Sequence, residues 1–207
     1  MSTRDFTDVI NERHSVRKYD PSAELSAEEI TELLEDAAKA PSSWNLQHWK
    51  FLVFHDQQAK EQLLPIAYNQ EQVVQASAVV AILGDLEADQ NADRVYQDAV
   101  DDGFMTEEIK TALVSQIKDA YATRPEMARD EAIRNASLAS MQLMLTAKAK
   151  GLDTCAMGGF NADELVKAFG IPERYLPVML ISVGKAAKTA HQTARFPIQE
   201  AIVWNKF

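Results

Sequence analysis

Near the start of the chain Arg13, Ser15 and Arg17 alternate. In an extended segment such residues face one way. A guanidinium fork meets phosphate or carboxylate oxygens bidentately, although exposed arginine is also ordinary surface decoration. Farther on, Ala40 to Phe51 read A-P-S-S-W-N-L-Q-H-W-K-F. Pro41 disfavours helical geometry at Ala40, so a preceding helix ends there. Ser42, Ser43, Asn45 and Gln47 then crowd hydroxyl and amide groups onto one exposed turn, more than a plain connection uses. That surface suits a ligand rich in ring nitrogens, carbonyls and hydroxyls; the alternative is a helix exit with a Ser or Asn cap. Gly158-Gly159 is conspicuous among only seven glycines. The pair either lets a ligand approach the backbone and its N–H donors or forms a strained strand-to-helix turn.

Other chemistry has less support. Cys155 is the single cysteine, so no internal disulfide forms and a reducing cytoplasm is expected. His14, His48, His55 and His191 are scattered, and none is placed to activate that thiol, which reads as a small buried hydrophobe. The histidines show no metal-ligand spacing. There is no G-x-G-x-x-G and no P-loop, so a nicotinamide held in a Rossmann unit has no support. A net charge of −10 argues against nucleic acid as a partner. The acidic run from Asp85 to Asp102 reads as a solvated helix and loop. No apolar run is long enough to span a bilayer, and Met1-Ser2-Thr3-Arg4-Asp5 is no signal peptide.

The elements that must position these groups follow from periodicity. Asp5–Glu12 is a short helix with Phe6, Val9 and Ile10 inward. Ser26-Ala27-Glu28-Glu29 is a capping box opening a helix to Lys39, with Ile30, Leu33, Leu34, Ala37 and Ala38 on one face. Trp49–His55 is a strand, and Gln57–Tyr68 a helix that Pro65 breaks or ends. Ala78–Leu83, bounded by Gly84, is a buried strand. Thr106–Tyr121 is helical, with Ile109, Leu113 and Ile117 in register. Asp130–Lys150 is the strongest helix, its face formed by Ile133, Ala136, Ser137, Ser140, Met141, Met144 and Ala147. This wide apolar face suits a central core helix or a homodimer interface. Asp153–Met157 is a strand, Asn161 caps a helix to Phe169, Leu176–Val183 is a buried strand, and Ala201–Trp204 is extended. The mixture indicates one α+β layered domain over residues 1–207.

The wording of four segments resembles the FMN-dependent NAD(P)H nitroreductase family. Ala40–Phe51 resembles its P-S-S-x-N-x-Q-P-W turn, with His48 in place of proline, a change expected to loosen the turn. Arg13-His14-Ser15-Val16-Arg17 resembles its N-terminal R-R/H-S-x-R/K element. Gly151 to Phe160, G-L-D-T-C-A-M-G-G-F, resembles its glycine turn. Ile181–Lys185 with Arg195-Phe196-Pro197 resembles its closing element. The resemblance covers nearly the whole chain. It implies a central mixed sheet wrapped by helices, in an intertwined homodimer whose C-terminal segment, here Ile202-Val203-Trp204, joins the partner's sheet.

It also implies a site. Arg13, His14 and Ser15 match the phosphate and ribityl end of FMN, and Arg17 the pyrimidine edge of the ring. Pro41, Ser42, Ser43, Asn45 and Gln47 belong to a turn that in the family reaches the flavin of the neighbouring subunit. Asn69 matches a ring-contacting amide, and Gln72 replaces a cation found in some relatives. Met157, Gly158 and Gly159 match the turn beside the ring's reactive edge. Arg195 matches the distal phosphate arginine. Thr193 stands where many relatives have lysine, and Lys185 is the expected substitute. The implied activity is hydride transfer from NADH or NADPH through FMN to nitroaromatic, quinone or related conjugated acceptors, with Asp85–Tyr121 as a lid. Reductive dehalogenation, flavin fragmentation and a non-catalytic flavin-binding module remain alternatives.

Overall fold

A computed structural model of the chain describes residues 5–207. The polar opening expected to carry no export signal falls mostly at 1–4, outside them. Among the described residues one sheet contains β1 (Trp49–Phe54), β2 (Ala78–Asp85), β3 (Asp153–Met157) and β4 (Tyr175–Gly184), in the order β1-β2-β4-β3. The helices are α1 (Phe6–Glu12), α2 (Ala27–Ala37), α3 (Gln57–Ile66), α4 (Gln72–Gln75), α5 (Ala92–Asp101), α6 (Glu107–Thr123), α7 (Met127–Ala149) and α8 (Ala162–Phe169). No helix among the described residues is long and apolar enough to cross a membrane.

The run Ala78–Leu83 is continuously apolar because helices cover both faces of β2. Successive side chains alternate between two cores. Ala78, Val80 and Ile82 join α2 and α7 through Leu33, Ala136 and Leu143. Val79, Ala81 and Leu83 join α3 and α8 through Leu63 and Leu165. Local chemistry sets the helix starts. Ser26 Oγ accepts from the Glu29 N–H at 3.2 Å, and the Glu29 carboxylate accepts from the Ser26 N–H at 2.8 Å. Asn161 Oδ1 accepts from the Glu164 N–H at 3.2 Å.

Several expectations change. The four strands pair antiparallel throughout, and the parallel component of the expected mixed sheet is one isolated bridge between Ser15 and Thr154. On α1 only Val9 is buried; Phe6 and Ile10 are 65% and 50% exposed, because seven residues present too narrow a stripe for all three. On α6 Ile117 and Val114 face the core, and Ile109 is exposed. The inward stripe of α7 is Ala132, Asn135, Ala136, Ala139, Ser140, Leu143 and Ala147, while Met141 is exposed. Small side chains win the inward positions because the helix lies close to β2. Asp85 is not solvated: it is 4% exposed and accepts from Arg174 Nε and Nη2 at 2.6 and 2.7 Å. Ile202, Val203 and Trp204 are exposed and belong to no strand of this chain.

Helix α7 approaches β2 tightly at Gly84. A Cβ there would lie 2.9 Å from both Cβ and the carbonyl oxygen of Ala132 on α7. Neither atom can move away without shifting the helix, so Gly84→Ala should cost roughly 2 kcal/mol, as overpacking does. A calorimetric melt should show the midpoint lowered by about 5 °C; a change below about 1 °C would show the contact to be loose.

Candidate functional site

The N-terminal group is laid out by the sheet. Arg13 closes α1 in extended backbone, its N–H donating to the Val9 carbonyl at 3.0 Å. Ser15 then bridges Thr154 of β3, and the Val16 N–H donates to the Thr154 carbonyl at 3.0 Å. Ser15 and Arg17 thereby both act on Cys155. Burial pushes that thiol's pKa up; the charge of Arg17 and a hydrogen bond with Ser15 oppose it. His14 Nδ1 donates to the Glu12 carbonyl at 2.9 Å.

A cleft of about 620 Å³ opens here, with His14, Val16, Lys148, Asp153 and Lys188 among its walls. Lys148 is tied to Asp153 at 3.2 Å and to Glu12 at 4.0 Å. Lys188 makes no ion pair among the described residues, so its charge is available to the cleft. Lys185 lies beside Asp20, whose carboxyl Ser22 chiefly holds low with a smaller pull from Lys185. Arg195 is not on the cleft wall; its Nη1 donates to Thr193 Oγ1 at 2.8 Å and to the Ala194 carbonyl at 2.9 Å. The cation facing the cleft in this stretch is therefore Lys188, which the motif comparison passed over.

A second group gathers where β3 ends. Tyr68 and Asn69 adopt left-handed backbone, at φ 53° and 57°. Gln70 Nε2 donates to the Gly159 carbonyl at 2.8 Å. Gln72 Nε2 donates to Gln70 Oε1 at 3.0 Å and contacts Met157 Sδ at 3.3 Å. Asn69, Gln72, Met157, Gly158 and Gly159 thus share one patch, stitched by Gln70. An ion pair between Lys18 and Glu71 ties the patch to the Ser15–Arg17 segment. Neither glycine has positive φ, and a Cβ on Gly158 would meet nothing within 4 Å. Glycine here leaves room instead of permitting an unusual conformation. Sequence reasoning overlooked Gln70, although the run Asn69-Gln70-Glu71-Gln72 is polar enough to have signalled it.

The third group is the turn after α2. Trp44, Asn45 and Gln47 are all left-handed, at φ 52°, 56° and 53°. Ser42 serves the turn itself: its Oγ accepts from the Gln47 N–H at 3.0 Å and its carbonyl from the Asn45 N–H at 2.9 Å. Ser43 is anchored to α7. Its N–H donates to Asn135 Oδ1 at 2.9 Å, and its hydroxyl donates to the Glu131 carboxylate. Burial raises the Glu131 pKa, but the bonds from Ser43 and Asn135, with Arg134 nearby, outweigh it and hold the carboxyl low. Pro41, Asn45 and Gln47 are exposed. The signal for the anchors was a polar pair, Glu131 and Asn135, one turn apart on the inward face of α7.

His48 does not loosen this turn. It is fully buried, with Nε2 2.8 Å from the Tyr121 hydroxyl of α6. Its Nδ1 has no partner among the described residues. Burial pulls its pKa down to about 4, against the opposing pull of Glu131 and Asp85. The turn and the N-terminal group do not meet. Asn135 holds the turn while Lys148 lines the cleft beside His14. At 1.5 Å per residue those helix positions stand about 20 Å apart.

A model of the Nitroreductase family matches residues 10–185. The Bacillus subtilis protein named "Putative NAD(P)H nitroreductase YodC" is 57% identical over 197 residues, covering 95% of this chain and 97% of its own. The "CLA biosynthesis enone reductase" of Lactiplantibacillus plantarum is 34% identical over 200 residues, covering 95% and 92%. A crystal structure from Exiguobacterium sibiricum, named "a putative nitroreductase in complex with FMN", superposes with a TM-score of 0.93 at 39% identity over 99% of each chain.

The buried imidazole gives a pH test. In the folded chain His48 stays neutral down to about pH 4, against an ordinary value of 6.5. The unfolded chain binds the extra proton between those values, so stability falls as pH drops through about 6.5 and the loss levels off near 4. His48→Gln removes that proton. Between pH 7 and pH 4 its denaturant-measured stability should fall by about 3 kcal/mol less than the wild type's. Parallel pH profiles would refute a buried neutral imidazole.

Proposed function

The chain belongs to the nitroreductase family, and from that premise we propose that it is a single-domain, homodimeric NAD(P)H oxidoreductase holding FMN. The observation that carries the reading is the donor set laid along β3. The ammonium groups of Lys148 and Lys188 line the cleft at the Asp153 end, Ser15 bridges Thr154 and Arg17 faces Cys155 along the strand, and a side-chain-free surface at Gly158 lies beyond. That order matches a phosphate, a polyol chain and a flat ring with a polar edge. The open space at Gly158 is what a ring passing close to the backbone requires.

Arg13, with Lys188 in support, fixes the phosphate bidentately. Ser15 and the His14 backbone serve the polyol. Arg17 sets a fixed positive charge at the pyrimidine edge, where it favours the reduced, more negative cofactor and so raises its potential. Asn69 offers an amide to the ring, while Gln72 and Met157, both buried, support the patch from beneath through Gln70. Lys185 and Arg195 complete the cationic end once Arg195 exchanges its bonds to neighbouring carbonyls for a phosphate. Pro41, Ser42, Ser43, Asn45 and Gln47 stand about 20 Å from this group along α7, so they reach the cofactor held by a second copy. The exposed Phe6, Ile10, Met141 and Trp204 supply apolar surface for that association.

FMN held by these residues would supply the redox chemistry, linking hydride donation by NADH or NADPH to reduction of an acceptor. No acid or base of the chain is required; its contribution is position and charge. The absence of a dinucleotide fingerprint fits a nicotinamide that visits and leaves, giving ping-pong turnover with nitroaromatic or quinone-type acceptors. The enone reductase relative supports including conjugated carbonyl compounds. The buried free thiol suits a cytoplasmic setting.

Purified protein should be yellow, and NADH or NADPH without oxygen should bleach it. Initial rates against both substrates should give parallel double-reciprocal lines. Colourless protein that ignores added FMN would end this reading. Arg13→Ala should weaken FMN about tenfold or more, the scale of one charge-assisted contact, while leaving riboflavin affinity unchanged. An equal loss for both ligands would place Arg13 away from the phosphate.

A further inference from the structure

The exposed turn between α2 and β1 is gripped by α5 and α6 as well as by α7. The Tyr96 hydroxyl on α5 donates to the Trp44 carbonyl at 3.2 Å. Asn91 Nδ2, just before α5, donates to the Leu46 carbonyl at 2.9 Å. The Tyr121 hydroxyl on α6 meets His48 Nε2 at 2.8 Å. Beneath these bonds Leu46 is buried among Ala88, Ala92, Val114 and Ile117. The α5–α6 unit therefore touches the turn at three alternate residues.

The choice of atoms matters. Each peptide unit is rigid, so fixing the Trp44 carbonyl orients the Asn45 N–H, and fixing the Leu46 carbonyl orients the Gln47 N–H. Asn45 and Gln47 are left-handed and point outward. Left-handed backbone without glycine persists only where the surroundings over-determine it. The His48 ring has one bond, since Nδ1 has no partner among the described residues, and that bond sets how the ring lies.

We propose that Tyr121, Tyr96 and Asn91 are positioning residues. They hold Trp44–His48 in the left-handed path that presents Asn45 and Gln47 to the cofactor. The α5–α6 unit is thereby a clamp on the cofactor turn. The inference rests on the reading that this turn reaches FMN, and its test separates the two.

Tyr121→Phe keeps the packed ring and removes the hydroxyl; Tyr96→Phe does the same for the bond to Trp44. Amide hydrogen exchange on the wild-type and variant proteins reads the clamp without any ligand. The reporters are the Asn45, Leu46, Gln47 and Trp49 amides, all bonded within the turn. Each variant should exchange about tenfold faster there, the factor expected from one lost neutral hydrogen bond, with β2 amides unchanged. Fluorescence titration should show FMN dissociation constants raised about tenfold by either variant. Unchanged exchange in the turn for both variants overturns the clamp. So does uniform acceleration that includes β2, or faster turn exchange with unaltered FMN affinity. Wild-type protein that binds no FMN overturns the reading of the site, while the exchange comparison still decides whether α5–α6 holds the turn.

Discussion

The approach of α7 to β2 governs the arrangement. Gly84 has no room for a Cβ against Ala132, and Ala136, Ala139 and Ala147 continue the small-residue track along the helix. A helix that close to a central strand cannot slide without opening the core. Its two ends therefore become fixed reference points. One end grips Ser43 through Glu131 and Asn135; the other brings Lys148 to Asp153 and Glu12 beside the N-terminal segment. The separation of the two polar groups in one chain is set by helix length.

Around that frame the chain holds backbone that its residues would not choose alone. The left-handed positions at Trp44, Asn45, Gln47, Tyr68 and Asn69 are all non-glycine, and all lie in the two turns that carry candidate ligand-binding amides. The first turn is held by side chains from elsewhere, Asn135, Tyr96 and Asn91; the second is tied outward by its own Gln70 to Gly159 and by Glu71 to Lys18. Such strain in a polar, outward-facing turn is characteristic of surfaces shaped before their ligand arrives.

Much of the fold was legible because its signals are local. The capping box at Ser26, the Asn161 cap and the two-sided apolar run at Ala78–Leu83 each need only a few neighbouring residues to be read. The burial phase of α7 was misread because alanine is small on any hydropathy scale, and only the sheet decides which alanines face it. Asp85 looked solvated because its partner, Arg174, is distant in sequence. His48 and Tyr121 were illegible for the same reason. The motif residues were proposed from their wording, and that wording is silent about the residues that hold them. Gln70, Glu131, Asn135 and Lys188 emerged only from geometry.

Cys155 is the sole thiol in the chain and is 1% exposed, roofed by the segment that Ser15 bridges to Thr154. Burial also keeps it protonated, and a protonated thiol is a poor nucleophile. Quinones and enones alkylate cysteines readily, so an enzyme that handles them risks arylating itself during turnover. With its one sulfhydryl inaccessible, this chain is suited to contact with thiol-reactive electrophiles that would inactivate a protein with surface cysteines.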